Sequence, residues 1–273
     1  MELPIYQIDA FSSALFRGNP AAICPLEQWL PDETMQAIAA ENNLAETAYY
    51  VPQNGRYGLR WFTPAVEVDL CGHATLAAAS VILDIRRELT GPRVIFDTKS
   101  GELAVEKTRE NGRDLYSLDF PAKPPLPCAV DPLLEAALGA KPSVTLAGQG
   151  YLCVFDAEED IRVLRPDMNG LASLDRPMLI ATAPGRDCDF VSRFFAPAKG
   201  IPEDPVTGSA HTTLIPYWAS RLGKKELFAR QISPRGGELW CQDRGPRVRI
   251  AGNAVKYLEG RIYLTAHDEA AFV

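Results

Sequence analysis

Phe62-Thr63-Pro64-Ala65 leads into Cys71-Gly72-His73-Ala74-Thr75, and Phe195-Ala196-Pro197-Ala198 leads into Thr207-Gly208-Ser209-Ala210-His211. The two stretches read as copies of one another. Each runs from an aromatic strand end, through a proline turn, into a helix that opens on glycine and small residues. The second copy carries a few extra residues between its landmarks. The first N–H groups of a helix have no intrahelical partner and sit at the positive end of its dipole, so such starts hold anions. A duplicated α/β fold with two such starts is therefore expected to bind a small carboxylate there.

The surrounding elements fit that plan. Ile5–Ala10, Ala21–Cys24, Thr47–Val51 and Tyr57–Phe62 read as strands, with a helix opened by Pro31-Asp32-Glu33, Asp32 as its cap, and ended by Asn42-Asn43. An alanine-rich helix is expected from Gly72 through Leu83, then strands at Val94–Phe96, Leu103–Lys107 and Leu115–Phe120. Pro121, Pro124, Pro125 and Pro127 crowd a segment that belongs to neither an ordinary helix nor a central strand. That segment is the expected linker, giving an N-terminal half 1–120, completed by the last strand at about 260–273, and a C-terminal half 121–259. In the second half a helix is expected from Asp131-Pro132 to Gly139, strands at Val144–Ala147, Tyr151–Phe155, Met178–Thr182 and Phe190–Phe195, a helix over Gly208–Leu222, and late strands at Val248–Ile250 and Arg261–Leu264.

Bulk properties narrow the function. A chain of 273 residues with 47% hydrophobic content is long enough to bury a sizeable core. Its net charge of −7 and lack of a Lys/Arg-rich run point away from nucleic acid. Its 22 prolines and 20 glycines punctuate many short elements and argue against a helix bundle. The cysteines Cys24, Cys71, Cys128, Cys153, Cys188 and Cys241 have wide, irregular spacings with no C-x-x-C pair. Together with an opening Met1–Tyr6 that lacks a basic and then an apolar region, this gives the expectation of a reduced, cytoplasmic protein. No apolar run approaches the ~20 residues of a membrane span.

Several side chains are candidates for chemistry. Glu46 stands at a helix-to-strand transition beside Leu44, Ala45 and Ala48, and partial desolvation fits a carboxyl group for acid/base work near neutral pH. The plain alternative is a solvated turn residue. His73, next to Gly72 at a helix start, is expected to stay neutral and to shuttle a proton or donate a hydrogen bond; otherwise it caps or packs. Asp204, in Glu203-Asp204-Pro205-Val206-Thr207-Gly208-Ser209, is suited to orient a histidine or bind an amine, or simply to cap a helix. Cys71 is a candidate thiol base, but the second copy offers Thr207, Ser209 and Ala210 and no opposing thiol, which disfavours a two-thiol racemase. Cys71-x-His73 is too tight for ordinary zinc spacing, Gly148-Gln149-Gly150 lacks a third glycine, and no phosphate loop is present. No metal or cofactor is therefore expected.

The ordered set Asp9-Ala10-Phe11, Gly18-Asn19-Pro20, Asn43-Leu44-Ala45-Glu46-Thr47, Phe62-Thr63-Pro64, Gly72-His73, Phe195-Ala196-Pro197, Glu203-Asp204, Thr207-Gly208-Ser209-Ala210 and Val248–Val255 spans nearly the whole chain. It resembles the phenazine-biosynthesis isomerase (PhzF-like) family, which shares the diaminopimelate epimerase fold. The resemblance implies two similar α/β halves, each a rolled, mostly antiparallel sheet around a central helix, with the active site in the cleft between them. It also implies a cofactor-free isomerase, commonly a homodimer. Glu46 matches the family's acid/base, which takes a proton from one carbon and returns a proton to another. His73, Asp204 and Ser209 match residues around the substrate, and Gly72 and Gly208 match the nearby helix starts. This chain departs from the phenazine enzyme at Ala45, Ala74 and Pro205-Val206, which bears on the substrate rather than the chemistry. The expected activity is isomerisation of a small carboxylic acid. Its rivals are an amino-acid epimerase or racemase using Cys71, and a non-catalytic small-molecule-binding protein.

Overall fold

A computed structural model describes residues 1–110, 112–148 and 150–265. The chain forms two compact units, Met1–Asp119 with the chain from Ala251 onward, and Phe120–Ile250. Each is a rolled, mostly antiparallel sheet with a central helix. Gln149, His267 and the part of the expected closing strand from 266 onward lie outside the described residues.

The first unit carries β1 (Glu2–Ala10), β2 (Asn19–Pro25), β3 (Glu46–Gln53), β4 (Arg56–Phe62), β5 (Glu67–Val68), β6 (Arg93–Thr98), β7 (Gly101–Glu110) and β8 (Arg113–Pro121). β1 pairs antiparallel with β2 and with the late strand Ala254–Tyr263. β3 and β4 join through Asn54-Gly55, at φ 51° and 78°, the pair of positive φ values that a tight hairpin turn needs. Helix α1 (Asp32–Asn42) lays Met35, Ile38 and Ala39 against Tyr49 and Phe62. Asp32 is not its cap: Pro31 holds that position, and the Asp32 carboxylate accepts instead from Arg60 Nη1 at 2.8 Å. Helix α2 (Gly72–Ser80) is buried from His73 through Ser80 and then widens into a π-helical turn, Val81–Ile85. It packs against β1, β2, β3, β7 and the late strand, which accounts for its run of small side chains: a helix covered on several sides has little room for large ones.

The second unit carries β9 (Leu126–Pro127), β10 (Val144–Ala147), β11 (Tyr151–Val154), β12 (Leu179–Pro184), β13 (Phe190–Ala196), β14 (Ile201–Asp204), β15 (Glu226–Gln231), β16 (Gly237–Asp243) and β17 (Arg247–Gly252), the last running on into the first unit. Helices α3 (Leu134–Leu138), α4 (Glu158–Val163) and α5 (Met168–Ala172) cover a core of Tyr151, Phe155, Leu179, Val191 and Phe195. α3 begins later than expected, because the Asp131 carboxylate accepts from the Leu133 N–H and holds a turn there instead. The proline-rich segment still contributes a short strand, β9, paired with β10. Helix α6 (Gly208–Leu222) is anchored by Trp218, which stacks on Phe190 and donates Nε1–H to Thr182 Oγ1 at 2.9 Å. Pro216 lacks the N–H that would reach Thr212 C=O, and that carbonyl accepts from the Lys123 N–H at 2.9 Å instead.

The duplication seen in the two motifs extends to strand pairing. β2–β3 is parallel, β3–β4 antiparallel, β4–β6 parallel and β6–β7 antiparallel. β11–β12, β12–β13, β13–β15 and β15–β16 repeat that series in the same order. α2 and α6 occupy corresponding places in it, each after the strand that ends the aromatic-proline motif.

Candidate active site

In the first unit the site begins with a helix stop. Asn43 takes the left-handed conformation after α1 and donates its N–H to Ala39 C=O, and Asn42 Nδ2 donates to Thr47 Oγ1 at 3.0 Å. These bonds turn the chain directly into β3, whose first residue is Glu46, in register with Ala21. His73 is the second residue of α2, and extended Cys71 is the N-cap without a side-chain capping bond. Its carbonyl accepts from the Thr75 N–H and hydroxyl instead.

These three side chains converge. Cys71 Sγ lies 3.4 Å from His73 Nδ1, and His73 Nε2 lies 3.2 Å from Glu46 Oε2. The Glu46 side chain is 13% exposed and that of His73 7%. The Nε2–Oε2 contact is close but not aligned as a hydrogen bond, and both atoms are buried with no other partner. His73 neither caps the helix nor packs as an apolar ring. Burial opposes charge on the imidazole, yet Cys71 and Glu46 on its two edges hold its pKa well above the ordinary histidine value. The neutral ring expected from a helix start is thus overridden by the Cys71 and Glu46 side chains against it. Burial, and then the Glu46 charge, push the Cys71 thiol up.

Glu46, Cys71 and His73 also place one potential metal-ligand atom each within 4.8 Å of one another. Cys71 Sγ approaches Nδ1 and Glu46 Oε2 approaches Nε2, so the two lie against different ring nitrogens.

In the second unit Asp204 ends β14 and Thr207 is the N-cap of α6. Asp204 does not cap. The Thr207 hydroxyl donates to Asp204 Oδ2 at 2.5 Å. Gln231, buried at the end of β15, fixes the turn: its Oε1 accepts from Thr207 N–H at 2.9 Å, and its Nε2 donates to Asp204 C=O at 2.7 Å and Thr207 Oγ1 at 3.2 Å. The amide cannot be turned over, because that would set oxygen against the Asp204 carbonyl and NH₂ against the Thr207 N–H. Ser233 Oγ donates to Pro205 C=O at 2.8 Å, and Glu203 makes a two-point pair with Arg193. Gly208 and Ser209 are the first two residues of α6. Sequence reading named neither Gln231 nor Ser233. No local signal marked them: Gln231 shares the buried phase of β15 with Leu227 and Ala229, but Glu226 and Arg230 interrupt that strand's apolar run.

The second motif's histidine does not mirror the first. His211 is fully buried, its Nδ1 bonded to Thr207 C=O at 2.8 Å and its ring 5.9 Å from Phe190, and burial pushes its pKa down to about 4. It is a neutral core histidine. A cavity of about 340 Å³ elsewhere in the second unit, lined by Lys141, Ser143, Asp156 and Arg165 among others, holds none of the sequence-predicted residues.

The duplicated fold is epimerase-like, and close relatives of the chain are named isomerases, which places it among isomerase-class enzymes. The phenazine biosynthesis-like (PhzC-PhzF) family model matches residues 8–260, and the chain belongs to that family. An uncharacterized isomerase of Pseudomonas aeruginosa is 52% identical over 97% of this chain and 100% of its own. A crystal structure of a PhzF-family phenazine biosynthesis protein from Enterococcus faecalis superposes with a TM-score of 0.93 at 46% identity, covering 97% of this chain and 100% of that one. A Pseudomonas aeruginosa protein described as a predicted epimerase shares the fold, with a TM-score of 0.77 at 18% identity over 96% of this chain and 100% of that one. Among the described residues no helix is long and apolar enough to cross a membrane.

Proposed function

We propose that the chain is a cofactor-independent isomerase of a small carboxylic acid, with Glu46 as the acid/base. Glu46 Oε2 takes a carbon-bound proton, the electron pair left behind delocalises into the substrate, and the same carboxyl returns a proton to a second carbon. The protein ends in the protonation state in which it began. His73 and Asp204 assist the proton's movement, Ser209 helps anchor the substrate, and the helix starts at Gly72 and Gly208 favour its carboxylate and the charge that develops on it. The observation that carries this reading is the Glu46–His73 pair: two buried polar atoms 3.2 Å apart with no structural bond to make.

The rival epimerase chemistry through Cys71 is less well supported, because burial and the Glu46 charge favour the thiol over the thiolate that would act as base. A cytoplasmic homodimer completes the proposal. The test is a thermal-shift screen of small carboxylic metabolites, followed by solvent-deuterium exchange into each ligand found. The proposal expects Glu46→Gln to keep binding and lose exchange, with Cys71→Ser retaining it. Exchange abolished by Cys71→Ser and kept by Glu46→Gln overturns it in favour of the epimerase. Binding with no exchange by the wild type overturns it in favour of a binding protein.

A further inference from the structure

The proposed mechanism leaves Cys71 without a task, yet its sulfur is 3.4 Å from His73 Nδ1. A neutral imidazole carries one N–H, and the partners of its two nitrogens decide which. A carboxylate only accepts hydrogen bonds. An unprotonated Nε2 3.2 Å from Glu46 Oε2 sets two acceptors against one another, so the proton of the neutral ring belongs on Nε2. Nδ1 is then an acceptor and needs a donor. His211 shows the usual alternative: its Nδ1 meets a backbone carbonyl, Thr207 C=O at 2.8 Å, which places the proton on Nδ1 and leaves Nε2 bare. A carbonyl against His73 Nδ1 would impose that wrong tautomer.

A thiol solves the problem because it both donates and accepts. We propose that Cys71 is a positioning residue whose thiol donates S–H to Nδ1 of neutral His73 and accepts N–H from Nδ1 once the ring is protonated, so that Nε2, the nitrogen 3.2 Å from Glu46 Oε2, carries a proton in both charge states. No bond to sulfur is made or broken; the hydrogen bond only reverses direction when the ring gains or loses its proton. The raised thiol pKa agrees with this use, since S–H is the form that can donate. The purpose of the device rests on the proposed acid/base role of Glu46 and His73, but its geometry does not.

The test needs no substrate. The chain has three histidines, so the full-length protein labelled with ¹⁵N-histidine gives a readable imidazole spectrum, and His267→Gln removes the signals of the one outside the described residues. Above the titration of His73 the wild type should show His73 protonated on Nε2 and His211 on Nδ1, an internal reference for the opposite tautomer. Cys71→Ala should shift the His73 Nδ1 resonance and raise its acid dissociation constant several-fold, because the hydrogen bond lost is stronger to the charged ring than to the neutral one. Cys71→Ser should restore both. A wild-type His73 protonated on Nδ1 overturns the proposal, and that spectrum alone decides it if a variant fails to fold. An unchanged His73 in Cys71→Ala, or no rescue by serine, overturns it as well. Each result is independent of the Glu46→Gln exchange rate, so failure here is distinguishable from failure of the isomerase reading.

Discussion

Replacing Gln231 by methionine should destabilise the protein by about 3 kcal/mol, because it unmakes the turn that carries Asp204 into α6. The shapes are close, so no sizeable cavity adds to the cost. What is lost are bonds from the Gln231 amide to Thr207 N–H at 2.9 Å and Asp204 C=O at 2.7 Å, with a longer one to Thr207 Oγ1 at 3.2 Å. Gln231 is 1% exposed and Thr207 7%, so the Thr207 N–H is left unsatisfied away from water, at about 1–3 kcal/mol. The Asp204 carbonyl belongs to a half-buried residue and recovers part of its loss from solvent, leaving about 1 kcal/mol. Urea unfolding of wild type and variant measures the difference. Gln231→Glu is the informative companion: it keeps the acceptor for Thr207 N–H, loses both donors, and offers the Thr207 hydroxyl a carboxylate other than Asp204. A methionine variant within about 0.5 kcal/mol of wild type, the range of ordinary surface substitutions, would refute the assignment of the turn to Gln231.

Acid should destabilise the second unit through His211. Its folded pKa of about 4 lies below the ordinary 6.5, so above pH 6.5 it has no effect, and between pH 6.5 and 4 the unfolded chain gains a proton that the fold excludes. The loss approaches about 3 kcal/mol below pH 4, and urea unfolding across that range should show a shallower slope in His211→Leu; an identical slope would remove His211 as the cause. His73 works in the opposite sense: with its folded pKa raised, its contribution is complete below pH 6.5 and disappears as pH rises through the folded value. Light scattering at micromolar concentration should give twice the 29.9 kDa chain mass, and a monomer mass would sink the dimer proposal.

The helix starts inside the two copied motifs were legible in the sequence. Gly72 and Gly208 mark the starts of α2 and α6, and the end expected at Leu222 is the end observed. Strands β15 and β16 were not legible. Glu226 and Arg230 fall on the less buried phase of β15 and break up an apolar run that only the inward residues carry. The late strand was expected only from Arg261, because Ala254–Tyr263 is exposed or half-buried throughout and owes its conformation to pairing with β1 rather than to a buried face. Of the candidate residues, Glu46 and His73 were named from local context, but their contact depends on β3 and α2 packing together, which no local pattern encodes. The copied motifs also suggested matching histidines. Their different surroundings, a carboxylate and a thiol for His73, a carbonyl and Phe190 for His211, set opposite pKa directions.

The central claim is that Glu46 moves the substrate's proton. Its most direct measurement is the rate of solvent-deuterium incorporation into a bound carboxylic ligand by wild type and by Glu46→Gln, compared at equal occupancy. The account predicts a rate at least ~10²-fold lower in the variant, the contribution of a positioned acid/base. A variant rate within a few-fold of wild type would contradict it.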